Sequence, residues 1–250
     1  MSRSVVSTYF LFFALLWIAC PILAFAQNLQ IDHVVYAYSN LDSAKNRFAS
    51  MGFTLKPGKL HSNGLLNAHV KFENGSYVEL MSLKGQPTDD VALKYKTLIE
   101  QHYTGAYLAL TGPEHHKIVL ALRQLNIEHE VTNGSLWTYI AFPEYSPLNH
   151  IFFITYHYPN PATGEFTIHS NGFNGLKEVV IEGGELLVGL LHTLGLRNSL
   201  TEQESFLARF STPTGAITIV EQENKDVRPR ILTTSFSHGQ GQQLTISGNR

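Results

Sequence analysis

His33 and Glu79 are the two side chains of this chain best suited to do chemistry together. A neutral imidazole can ligate a divalent cation or act as a general base. A carboxylate set among Val78, Leu80 and Met81 is costly to bury unless it is paired, protonated or bound to metal. Ile31-Asp32-His33-Val34-Val35-Tyr36 and Tyr77 to Met81 both read as strands. Alternation along a strand lets His33 in the first and Glu79 in the last point into one concave side of a curled sheet. Glu178, in a segment patterned like the first strand, could complete a three-ligand set with an open position for substrate or water. Plainer readings stand beside this one: a strand histidine hydrogen-bonded to its neighbours, and carboxylates that face solvent.

The elements that would position these groups form a βαβββ order over residues 31–83. A helix from Leu41 to Met51 follows the first strand, and strands Phe53 to Leu55, Leu66 to Phe72 and Tyr77 to Met81 complete it. The plan recurs, which is the signature of an internal repeat. In residues 105–157 the strand Ala106 to Leu110 leads to a helix from Pro113 or Glu114 to Leu125. Strands Ile127 to Val131, Leu136 to Phe142 and Ile151 to Tyr156 follow. In residues 176–222 the strand starting at Leu176 precedes a helix Glu185 to Leu194 and strands Ser205 to Phe210 and Ala216 to Glu221. Leu176-Lys177-Glu178-Val179-Val180 parallels Ile31 to Val35, and Gly215 to Ile219 parallels Gly75 to Glu79, which sets Ile219 where Glu79 stands. The second module offers Tyr107, Ala109, Phe153 and Thr155 at the comparable strand positions; only tyrosine among these ever ligates a divalent metal. A helix Lys94 to His102 bridges the first two modules. Residues 223–250 read as a hairpin, Arg230 to Ser235 with Gln243 to Ser247, or as a tail.

The wording IDHVVYAYSNLDSAKNRFASMGF, then LHSNGLLNAHVKFENGSYVELMSL, with a second patch HSNGFNGLKEVVI, resembles the vicinal oxygen chelate superfamily in its glyoxalase-like branch. The resemblance implies an α+β fold: repeated βαβββ modules forming curled, cup-shaped mixed sheets with helices on the outside, here over residues 27–222. It implies a cup that binds a small ligand offering adjacent oxygens, often beside a metal, with lyase, isomerase or dioxygenase chemistry at His33 and Glu79. A divalent metal (Zn, Fe, Mn or Ni) would be held by His33, Glu79 and Glu178. His61, Asn67, His169 and Asn171 lie in the family-like patches and could orient a bound carbonyl or carboxylate. A fold of this kind also serves metal-free binding proteins, so it does not choose a reaction.

Arg3 followed by an apolar run from Tyr9 to Phe25, ending Ala24-Phe25-Ala26, reads as a signal peptide of residues 1–26 and implies a secreted or periplasmic protein. Left uncleaved, the segment would be the only membrane anchor. The single cysteine, Cys20, lies inside it, which excludes disulfides and thiol nucleophiles from the mature chain. A net charge of −2 with scattered Lys and Arg argues against a nucleic-acid partner. No Gly-rich phosphate loop, Gly-x-Ser-x-Gly elbow or His-Glu-x-x-His motif occurs, so no nucleotide cofactor is expected. Modules of this sort can close within one chain or across a homodimer.

Overall fold

The computed structural model describes residues 29–158, 164–200, 206–223 and 228–248. The segment read above as a signal peptide and residues 159–163 lie outside the described residues. Among the described residues no helix is long and apolar enough to cross a membrane.

Module one is β1 (Gln30–Ala37), α1 (Leu41–Ser50), β2 (Lys56–Leu60), β3 (Leu65–Lys71) and β4 (Tyr77–Leu83). A linking helix, α2 (Asp90–Glu100), leads to module two: β5 (Gly105–Thr111), α3 (His115–Gln124), β6 (Glu130–Asn133), β7 (Trp137–Ala141) and β8 (Ile151–Tyr156). The two modules share one eight-stranded sheet of order β2-β3-β4-β1-β5-β8-β7-β6, joined where β1 pairs antiparallel with β5. The third unit is β9 (Phe173–Gly183), α4 (Glu185–Thr193), β10 (Ala208–Thr212) and β11 (Gly215–Glu221). The C-terminal hairpin β12 (Ile231–His238) and β13 (Gln243–Ser247) adds strands to it, giving a five-stranded sheet of order β10-β11-β9-β12-β13.

Local chemistry explains the helices. Asn40 caps α1 by accepting the Ser43 N–H at 2.8 Å, and Leu41, Ala44 and Phe48 bury one face. Gly52 then reverses the chain at φ 87°, a conformation that favours glycine, and a Cβ there would press on Asn171. Asp89 caps α2 through the Ala92 N–H at 2.8 Å, so this helix starts earlier than Lys94. It buries Ala92, Tyr95 and Leu98 against Val35, Ala37 and Met81, and thereby floors one end of the concave face of the large sheet.

Two strand expectations shift. Phe53 to Leu55 is no strand, because the Phe53 ring plugs the space between the sheets among Phe48, Phe72, Phe173 and Phe236. The polar run Lys56–Leu60 pairs with β3 instead. Its hydrophobicity gave no warning; Pro57 suits an edge strand. Ile127 likewise enters the core, and β6 begins three residues later as a solvent-exposed edge strand.

The convex face of the large sheet, with Val34, Tyr36, Val70, Leu80, Leu108 and Phe153, is covered by α1, α3 and the inner face of the small sheet in one core. Phe236 of β12 is wholly buried in it, 5.2 Å from Phe53 and 5.7 Å from Phe72. Tyr36 donates to Thr234 at 2.8 Å, and Thr214 donates to the Ile31 carbonyl at 2.7 Å, so the buried hydroxyls at this junction are satisfied.

His150, before β8, is fully buried and neither ring nitrogen has a hydrogen-bond partner. Burial, aided by the nearby Arg228 charge, pushes its pKa down to about 3. The unfolded chain takes up this proton near the ordinary value of about 6.5, so stability present above that pH is lost as pH falls toward 3. The expected loss is on the order of 4 kcal/mol over the window. Urea unfolding at pH 7 and pH 4 checks it: His150→Leu should flatten the pH dependence, and an unchanged slope would contradict this origin.

Candidate active site

A cleft of about 1680 Å³ opens on the concave face of the large sheet, lined by both modules, α2, the Arg228 segment and residues of the third unit around Glu185 and Glu221. His33, Tyr77 and Glu79 project into it from the central strands, and Asn67, His69 and Lys71 from β3. The register β3 to β4 sets His69 opposite Glu79 and Lys71 opposite Tyr77; β1 to β4 sets His33 opposite Tyr77.

A bulge in β1 builds the head of the site. Ile31 pairs with Leu110 and His33 with Ala109, so Asp32 is the extra residue. Bulges re-aim side chains. Asp32 accordingly reaches His33 on the same side: His33 Nδ1 donates to Asp32 Oδ1 at 2.5 Å, and the Tyr156 hydroxyl donates to the same oxygen at 3.0 Å. With Nδ1 so engaged, Nε2 faces the cleft, 3.6 Å from Glu79 Oε2. The imidazole is 3 % exposed and stacks on Tyr77 at 4.3 Å and 17°.

Glu79 is held as an anion. Burial acts to raise its pKa, but hydrogen bonding from His69 and Asn67 and the His33 and His69 imidazoles outweigh it and bring it down to about 2. Asn67 Nδ2 donates to Glu79 Oε1 at 2.7 Å, while Asn67 Oδ1 accepts the Lys59 N–H at 2.9 Å. That arrangement needs Gly58, where a Cβ would overlap Asn67. His69 Nε2 lies 3.5 Å from Glu79 Oε1. Lys71 sets its ammonium 3.3 Å over the Tyr77 ring, and burial pushes its pKa down to about 8 against the pull of Asp32 and Glu79.

Of the residues singled out in the sequence, His33, Glu79, Asn67 and His61 come together in the cleft. Burial and the neighbouring Lys59 charge lower the His61 pKa. His169 and Asn171 lie outside it and act as staples. His169 Nδ1 accepts the Thr54 N–H at 3.0 Å and its Nε2 donates to the Lys71 carbonyl at 2.9 Å; Asn171 donates to the Met51 carbonyl at 2.7 Å.

Glu178 sits in the other sheet, where Thr218 donates to it at 2.6 Å and Arg209 lies at 3.2 Å. It does not join His33 and Glu79. Register also corrects the counterpart of Glu79 in the third unit. Ala216 pairs with Glu178 as Tyr77 pairs with His33, so the equivalent residue is Thr218, and Ile219 faces the core. The β3–β4 turn runs through Phe72 to Ser76, whereas β10 pairs directly onto Gly215, and this difference in turn length displaces the sequence match.

In module two, Phe153 is buried in the core and Phe152 faces the cleft instead, 5.5 Å from His33. Tyr107, Tyr139, Phe152 and Tyr156 therefore stand across from the polar row of β3. Among the described residues no three His, Cys, Asp or Glu side chains are placed to hold a metal ion. Glu79 Oε1 is already engaged by Asn67, Glu178 lies in the other sheet, and Glu130 and Glu144, which also line the cleft, form no metal-binding group with His33 and Glu79. The donor set does not fit a metal centre.

Sequence reasoning overlooked Asp32, His69, Lys71, Tyr77 and the aromatic wall. His69 and Lys71 share strand parity with Asn67, a signal that was present; the bulge that turns Asp32 was not legible.

The fold has known counterparts. A hypothetical protein from Staphylococcus aureus superposes with TM-score 0.57 at 12 % identity, over 87 % of this chain and 98 % of that one. A xylose isomerase-like TIM barrel/4-hydroxyphenylpyruvate dioxygenase fusion protein gives TM-score 0.51 at 12 % identity, over 84 % of this chain and 36 % of that one. Methylmalonyl-CoA epimerase from Mycobacterium tuberculosis matches 50 % of this chain and 85 % of its own at 19 % identity and TM-score 0.38. No curated protein matches in sequence. The glyoxalase-like domain family matches residues 31–187, more than half of the chain. With its paired modules and shared concave cleft, the chain belongs to the glyoxalase-like domain family, within the vicinal oxygen chelate superfamily.

Proposed function

We propose that the protein is an exported enzyme of the lyase or isomerase type that binds a small oxygen-rich metabolite and moves a proton at a carbon beside a carbonyl. The observation that carries this reading is the Asp32–His33 pair, which leaves His33 Nε2 facing the cleft. A general base works best when its pKa lies near the working pH. Glu79, held near 2, is too weak a base for that role. It instead keeps a fixed negative charge beside the imidazole, while Asp32 fixes the ring's orientation and tautomer. His61, on the β2–β3 side, would orient a substrate oxygen, while Asn67 holds the Glu79 carboxylate in place. Export rests on the sequence of residues 1–26.

The test is incorporation of deuterium from heavy water into small 2-oxo and 2-hydroxy carbonyl compounds, followed by proton NMR. The wild type should label at least one of them, and His33→Ala should not. Labelling that survives in His33→Ala would overturn the assignment. A second reading, a metal-free binding protein of the same fold, is favoured by the aromatic residues Tyr107 and Phe152 that face the site from module two; it expects ligand retention with no exchange in any compound.

A further inference from the structure

The two walls of the cleft differ in kind. Module one presents Asn67, His69, Lys71 and Glu79, whereas module two presents the rings of Trp137, Tyr139, Phe152 and Tyr156, with Glu130, Thr132 and Glu144 also on its lining. Tyr139 and Phe152 meet edge to face at 5.7 Å and 64°, and Trp137 meets Tyr139 at 6.0 Å and 64°. Edge-to-face packing leaves ring faces available, and Trp137, Tyr139, Phe152 and Tyr156 are each only partly buried. Apolar surface kept half-open beside a polar row is suited to a flat ligand body.

The second observation is independent of the rings. Among the described residues no carboxylate forms an ion pair with Lys71, although its ammonium is inside the cleft and rests on Tyr77. His33 stacks at 4.3 Å on the same ring, so the two groups must occupy opposite faces of Tyr77. The Tyr77 ring therefore separates the cation from the His33 imidazole, and Lys56 and Lys59 of β2 also line the cleft. A cationic donor in no ion pair, drawn only at longer range by Asp32 and Glu79 and set beside a wall of rings, matches a ligand that carries its own anion.

Resting on the reading of the cleft as a small-molecule site, we infer that its ligand is an aromatic carboxylate, with the ring against Tyr139, Phe152 and Tyr156 and the carboxylate on Lys71. The ring then extends past His33, which keeps any reacting carbon near Nε2 and the charge on the far side of Tyr77.

Calorimetry on the mature chain with three probes of similar size separates ring from charge: benzoate, cyclohexanecarboxylate and benzyl alcohol. Benzoate should bind at least tenfold more tightly than either of the others. Lys71→Met should bring benzoate down to the level of benzyl alcohol, Lys71→Arg should retain the preference, and Tyr139→Leu should erase the preference for benzoate over cyclohexanecarboxylate. Near-ultraviolet circular dichroism matching the wild type establishes that the variants are folded. Equal affinity for benzoate and cyclohexanecarboxylate, no benzoate binding, or benzoate binding indifferent to Lys71→Met would each overturn the inference. Proton exchange by the wild type without probe preference would overturn it and leave the proposed chemistry standing; probe preference without exchange would do the reverse.

Discussion

His33→Ala is expected to lower proton exchange by about 10²- to 10⁴-fold, the range that a positioned general acid–base contributes. The effect should fall on kcat, because the imidazole acts on the proton in flight and offers the bound ligand little area beyond that of Tyr77 and Phe152, which flank it. Asp32→Asn should act in the same direction with a smaller loss. An asparagine cannot replace the charge that Nδ1–H meets at 2.5 Å, although it can still accept the Tyr156 hydroxyl at 3.0 Å. NMR-detected exchange on any compound the wild type labels would measure both. Equal loss in KM and no loss in kcat for His33→Ala would assign His33 to binding alone.

Phe236→Ala is expected to cost about 3–5 kcal/mol of stability, as deletion of a fully buried phenylalanine does when the site cannot collapse. Collapse is blocked here because the ring is held between two sheets. Phe53 and Phe72 approach it from the large sheet's side and Phe173 from the small one's, at 5.2, 5.7 and 6.2 Å. Urea unfolding at neutral pH would show the loss in the transition midpoint. A change below about 1 kcal/mol would mean that the sheets pack by other contacts, since such a small cost belongs to sites that repack freely.

The repeat was legible in the chain because its strands are marked locally. Apolar runs bounded by turn signals mark strands, and Ile31 to Tyr36, Tyr77 to Met81 and Ile151 to Tyr156 are such runs. The hairpin after Asn224 was also legible, through its Gly-rich turn and flanking strands. Phe53 was not, since a local pattern of apolar residues cannot separate a strand from a ring inserted between two sheets. Nor was the position of α2, whose apolar stripe could have faced either side of the large sheet; only Val35, Ala37 and Met81 on the concave side decide it.

At the site, residue type and strand parity, joined to the family resemblance, point to His33 and Glu79. Analogy between modules joined Glu178 to them, and topology undid the analogy. The third unit completes its sheet with β12 and β13 rather than with module one, so Glu178 finds Arg209 and Thr218 instead. His169 and Asn171 are expected at the cleft from the family-like patch that holds them, but their partners are backbone groups of the first module, which makes them part of what holds the units together.

The central claim is that His33 and its two carboxylate neighbours act without a metal, and the most direct test is deuterium exchange by wild-type protein stripped with a chelator, alongside elemental analysis of the untreated protein. Exchange that persists after stripping, in protein holding no stoichiometric metal, is the expected result. Exchange lost on stripping and restored by zinc, iron, manganese or nickel would contradict it.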